Sequence, residues 1–186
     1  ALPLFHAGVK ILGTDASTID QVEDRHKFSA CLDRLGIDQP AWKELSDFDS
    51  LKIFCGQVGY PVLIRPSYVL SGSLMKVVYD EAGLESLWKN GRGNPKSWGA
   101  NYSFVATKFI TDAKEIDMDI VAQNGEIKLS AICEHVENAG VHSGDATLVT
   151  PPQKLYLETM NRIRKISQKI VAHLKCSGPV NFQFIA

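Results

Sequence analysis

The dipeptide Asn124-Gly125, set between two runs in which apolar and polar residues alternate, is the strongest constraint on how this chain folds. A tight two-residue turn needs positive φ at both positions, which Asn and Gly adopt readily, so Glu115 to Glu134 is expected to form an antiparallel hairpin. Alternation then assigns the faces. Glu115, Asp117 and Asp119 share one, and Ile116, Met118 and Ile120 share the other. The acidic face reads either as a solvated sheet surface or as oxygen ligands for hydroxyls or a hard cation.

Helical spacing dominates elsewhere. Apolar residues from Ser17 to Leu35 recur at helical intervals before Gly36. A second helix from about Asp47 carries Leu51, Phe54, Cys55 and Val58 on one side and closes at Gly59. Glu81 to Lys89 and Leu157 to Leu174 are two more, the last stopped near Gly178-Pro179. Strands are expected at Val9–Leu12, Val62–Arg65, Leu74–Tyr79 and Tyr102–Ile110, and from Val180 to the end. Asn90 to Asn101, rich in glycine, reads as a loop. The mixture is α+β.

The chain of 186 residues is 45% hydrophobic, enough to bury a core. A net charge of -1 gives no global attraction to nucleic acid or anionic lipid, and no apolar run approaches the ~20 residues that span a bilayer. Neither nucleic acid nor membrane is an expected partner. Cys31, Cys55, Cys133 and Cys176 lack zinc or redox spacing and read as buried thiols of a reducing compartment, with a cytoplasmic location. The opening residues Ala1-Leu2-Pro3-Leu4 do not resemble a secretory signal.

Several residues could carry chemistry. Arg65 ends a strand just before a tip containing Leu70, Ser71 and Gly72, where its fork could hold phosphate oxygens or simply cap the strand. Gly140-Val141-His142-Ser143 could be a backbone turn closing on an anion, or a plain surface turn. Gln183 points away from Phe182 and Phe184, toward solvent or a polar cleft. Neither a P-loop nor a nucleophile elbow is present.

Glu23-Asp24-Arg25, the run from Gly59-Tyr60-Pro61 through Arg65-Pro66-Ser67 to Gly72, the stretch from Glu134 to Asp145, and Asn181-Phe182-Gln183-Phe184 together resemble the carbamoyl phosphate synthetase family. Their order is similar to the second ATP-grasp half of its large component, and Ser46-Asp47, Phe54-Cys55 and the run from Ala146 to Gln153 resemble the version found in the animal multifunctional pyrimidine-synthesis protein. The resemblance implies an ATP-grasp fold over residues 14–186, cut before its last metal-binding strand, with 1–13 ending a preceding domain. ATP would lie between two α+β lobes.

By position, Arg25 and Arg65 would meet phosphate oxygens, and Leu70, Ser71 and Gly72 would cover them. Lys108 and Ile110 would border adenine, Glu115 would accept the ribose hydroxyls, and Gly140, Val141, His142 and Ser143 would turn against the nucleotide. Arg65 and His142 would be catalytic, and Gln183 would bind Mg2+ or Mn2+. The implied reaction phosphorylates carbamate with ATP to give carbamoyl phosphate. Implied partners are the remaining synthetase domains and a glutamine amidotransferase component. Family residues after Gln183, a metal-binding Glu and Asn and further arginines, have no counterpart in the chain, so the chain alone is expected to be an inactive ATP-binding fragment in which binding partly survives. The stretch from Asn90 to Tyr102 departs from the family pattern. A non-catalytic nucleotide-binding module, or an ATP-grasp ligase acting on another small acid, is the alternative.

Overall fold

A computed structural model of the chain describes residues 1–67, 75–89, 103–141 and 145–186. Two compact units emerge, one made of Ala1–Gln21 with Ile110–Ala186, the other of Val22–Phe109.

The Val22–Phe109 unit is built on an antiparallel sheet of order β1-β4-β2-β3, from Trp42–Leu45, Phe104–Lys108, Val62–Pro66 and Lys76–Val78. Strand β2 alternates strictly in burial, with Val62, Ile64 and Pro66 inside and Leu63 and Arg65 half-buried on the other face. The inner face packs against helices α4 (Phe48–Val58) and α5 (Glu81–Lys89) through Leu45, Leu51, Phe54, Ile64, Leu84 and Phe104. Trp88 of α5 stacks at 5.0 Å from Phe48 and meets Phe104 edge-on at 6.2 Å. Helix α4 starts where expected, because the Asp47 side chain accepts the Ser50 amide at 2.8 Å.

The other unit carries a second antiparallel sheet, β7-β6-β5-β8, from Leu148–Val149, Glu126–Asn138, Lys114–Gln123 and Gly178–Ile185. The hairpin forms as its sequence requires, with Asn124 at φ 51 and Gly125 at φ 84. Ile116, Met118 and Ile120 are buried, and α6 (Leu157–Leu174) buries Ile163, Ile170, Val171 and Leu174. The Ser167 hydroxyl reaches the Met118 sulfur at 3.1 Å.

Two expectations are corrected. Val9–Leu12 forms no strand; the residues before it make a short helix, α1 (Leu2–His6), and Leu12 is 82% exposed. An apolar run this short carries no periodicity able to separate strand from coil. The Ser17–Leu35 helix is two helices, α2 (Ala16–Glu23) and α3 (Arg25–Arg34), broken at Asp24. Asp24 adopts an extended φ of -84° and ψ of 113°, and its carboxylate accepts the Lys27 amide at 3.0 Å, so the side chain caps α3 instead of continuing α2. Helix α6 spans Leu157–Leu174 as expected, its left-handed cap being Lys175 at φ 50 and ψ 40. Strands β1 and β7 were not expected; each is short and lies at a sheet edge.

Candidate functional site

Arg65 leaves the outer face of β2, and one of its terminal nitrogens reaches the Thr107 hydroxyl of β4 at 3.4 Å. Arg25, the first residue of α3, donates its backbone N–H to the Ser67 carbonyl at 3.2 Å, which places it two residues past Arg65 across the gap. Burial lowers the pKa of both guanidinium groups, and burial together with the Arg25 charge pushes Arg65 down to about 10. Both remain cations at neutral pH. The Nε atom of each is buried without a hydrogen-bond partner, and neither arginine forms an ion pair with a described residue. Two desolvated like charges held together with spare donors favour an anion with several acceptor oxygens. That is the chemistry of a phosphate group.

Lys108, at the end of β4, donates its ammonium to the backbone carbonyls of Gly59 at 3.1 Å and Tyr60 at 2.8 Å. It closes the turn between α4 and β2.

In the other unit, the three acids of the β5 face have three different surroundings. Glu115 accepts the Gly140 amide at 3.5 Å, so the start of β5 meets the turn that follows β6. Gly140 has a φ of 106°, a conformation that favours glycine, and Val141 beside it is 39% exposed. Asp119 is exposed and accepts the Asn181 side-chain Nδ2–H at 2.9 Å. Asp117 is 5% exposed and accepts from, or pairs with, His135 Nε2 at 2.8 Å, and His135 is 1% exposed. The second Asp117 oxygen is buried and unpartnered.

Gln183 of β8 is exposed, and its register partner on β5 is Asp117. Ile110 is half-buried and precedes β5. The sites expected at Leu70, Ser71, Gly72, His142 and Ser143 lie outside the described residues.

Among the described residues, the structure brings Arg25 to Arg65 and Glu115 to Gly140, and sets Lys108 against backbone carbonyls. Sequence reading missed two clusters. The Asp117–His135 pair was detectable, because alternation in two adjacent antiparallel strands can bring an acid and an imidazole to one face. The other, Glu44 with Ser67, Ser103 and His26, joins residues with no shared local pattern and had no such signal. Among the described residues no group of three His, Cys, Asp or Glu side chains is gathered as for a metal, and no helix is long and apolar enough to cross a membrane. All four cysteines are free and buried.

Against known proteins, the chain is 54% identical over 186 residues to multifunctional protein pyr-3 of Neurospora crassa, covering all of this chain and 10% of that protein. It is 53% identical to multifunctional protein URA2 of Saccharomyces cerevisiae, covering all of the chain and 8% of that protein. The chain thus spans about a tenth or less of the length of these relatives. Among solved structures, it superposes on the biotin carboxylase domain of Hydrogenobacter thermophilus 2-oxoglutarate carboxylase, in complex with MgADP, ADP and bicarbonate. The TM-score is 0.80 at 18% identity, covering 100% of this chain and 41% of that one. The architecture is the mixed α/β ATP-grasp fold. Residues 24–186 match the family described as carbamoyl-phosphate synthase L chain, ATP binding domain, and the chain belongs to that family.

Proposed function

We propose that this chain is the ATP-binding part of a carbamoyl phosphate synthase that transfers the terminal phosphoryl group of ATP to carbamate. A carbamate oxygen bonds to the γ-phosphorus as the bond to the β–γ bridging oxygen breaks, and carbamoyl phosphate and ADP leave. The carrying observation is the arginine pair, two partly desolvated cations whose Nε donors are buried without partners and which form no ion pair with a described residue. Phosphoryl transfer depends mainly on holding the phosphates and countering their charge, and this pair would contribute to both.

The remaining roles follow the family pattern. Leu70, Ser71 and Gly72 would cover the phosphates. Glu115 has one oxygen only loosely engaged, at 3.5 Å from the Gly140 amide, which leaves lone pairs for ribose hydroxyls. Gly140, Val141, His142 and Ser143 would turn against the nucleotide. Because the Lys108 ammonium is held by carbonyls, its alkyl stem is what it would offer to adenine, alongside Ile110.

Magnesium or manganese requires hard oxygen donors, and the exposed Gln183 carboxamide is of that type, with the unpartnered Asp117 oxygen in the adjacent strand. When bound, the ion supplies neutralisation of phosphate charge, and Gln183 would be the residue here that holds it. A glutamine amidotransferase component and the other synthetase domains would be the partners, in the cytoplasm, serving pyrimidine or arginine synthesis.

The test compares Arg65→Ala with wild type in the longer protein that contains this chain. Carbamate-dependent ADP formation is expected to fall by about a hundredfold or more while the unfolding transition remains cooperative. Undiminished turnover by Arg65→Ala would refute the assignment.

A further inference from the structure

The arginine pair is held in a state that its own charges oppose, so something must fix it. Glu44 of β1 pairs with Val105 of β4, and Val105 pairs with Arg65 of β2, so the three residues form one cross-strand row on one face. Across two strand spacings, Glu44 and Arg65 backbones lie about 10 Å apart. A carboxylate in that row could turn toward either arginine and cancel it.

It is engaged elsewhere. Oε1 of Glu44 accepts the Ser67 hydroxyl at 3.2 Å and the Ser103 hydroxyl at 2.5 Å, and the two hydroxyls are 2.9 Å apart. Oε2 faces His26 Nδ1 at 3.5 Å. Ser67 itself is 8% exposed; its amide donates to the Ser103 carbonyl at 3.2 Å, and its carbonyl accepts the Arg25 amide at 3.2 Å. A continuous set of bonds therefore runs from β1 through the end of β2 to the first residue of α3. Arg65 lies two residues before Ser67, and Arg25 lies directly across from it.

We infer that Glu44 is a positioning residue for the phosphate-binding arginines, holding Ser67, and through it Arg25, against the end of β2. The same bonds keep the Glu44 carboxylate away from the guanidinium groups and leave those groups open to an anion. This rests on the reading of Arg25 and Arg65 as phosphate ligands. Hydrogen bonds to a charged acceptor are stronger than neutral ones, which suits a carboxylate to the task of gathering two hydroxyls.

Calorimetric titration of the full chain with ATP, and with inorganic tripolyphosphate as a probe lacking the base, tests the inference. Glu44→Ala is expected to weaken both ligands about tenfold, measured well below its unfolding temperature, since a small misplacement of binding groups has effects of that order or larger. Ser67→Ala, which removes the link while sparing Glu44, should weaken them similarly, and it serves if Glu44→Ala does not fold. Glu44→Gln keeps an acceptor oxygen and should restore affinity to within about twofold.

A lowered melting temperature with unchanged affinity in both alanine variants would make Glu44 merely structural and overturn the inference. Tighter binding by Glu44→Gln than by wild type would show action through charge, which also overturns it. If Arg65→Ala loses affinity while the Glu44 and Ser67 variants do not, only the positioning role falls. If Arg65→Ala binds like wild type, the phosphate reading falls first and this one with it.

Discussion

At the scale of single residues, Arg65 shows function opposing stability. Its guanidinium is desolvated beside Arg25, and one of its nitrogens has no partner, so the unliganded fold carries a cost that an anion relieves. Replacing it with an apolar side chain of similar length should remove that cost. Arg65→Met is expected to stabilise the ligand-free chain by about 1 kcal/mol in urea unfolding while eliminating detectable tripolyphosphate binding. A loss of stability of that size would mean that the arginine is satisfied in the fold and is not waiting for a ligand. The position of Arg65 at a strand end is plain from the sequence, but its burial and its neighbour are not, because Arg25 arrives from a helix forty residues earlier. Asp117 shows the opposite limit. Alternation places it correctly on the acidic face, yet that rule cannot tell that His135 on the next strand covers it, so an acid grouped with solvated neighbours is buried.

At the scale of elements, the hairpin was the most legible feature and the interruption at Asp24 among the least. A two-residue turn is specified locally, whereas a helix break inside a continuous apolar pattern depends on whether one carboxylate bonds its neighbours' amides or points to water. Gly125 carries a further constraint that the turn alone does not impose. At φ 84 it lies in a region that favours glycine, and a Cβ there would come within 3.3 Å of the Ala172 backbone and 3.4 Å of Lys175 Cα at the end of α6. Its amide donates to the Cys176 carbonyl at 2.9 Å, so the hairpin tip is docked on the helix end and has little room to shift. Gly125→Ala should therefore destabilise by about 1–3 kcal/mol, the backbone and contact costs acting together. A urea midpoint close to wild type would show that the tip can lift from α6, and the close approach would then have no energetic weight.

At the scale of the whole molecule, each unit has its own sheet and core, and the two sheets are assembled from antiparallel pairs throughout. The α+β class follows from local periodicity, but the strand order β1-β4-β2-β3 does not, since β1 pairs with a strand some sixty residues later and no local pattern encodes that choice. The resemblance implies the ATP-grasp fold but not that order, and β1 itself was not expected. Binding energy provides a test at this scale, since a ligand that recognises only the native chain stabilises it according to its free concentration over Kd. ATP with magnesium at a hundred times Kd should add about 2.7 kcal/mol to the unfolding free energy. The Arg65→Ala protein should show little of this increment at the same concentrations, because on this reading the arginine pair is what recognises the triphosphate. Equal stabilisation of both proteins would place the binding energy outside the arginine pair, and the phosphate-recognition argument would then have to be abandoned even if the chain binds nucleotide.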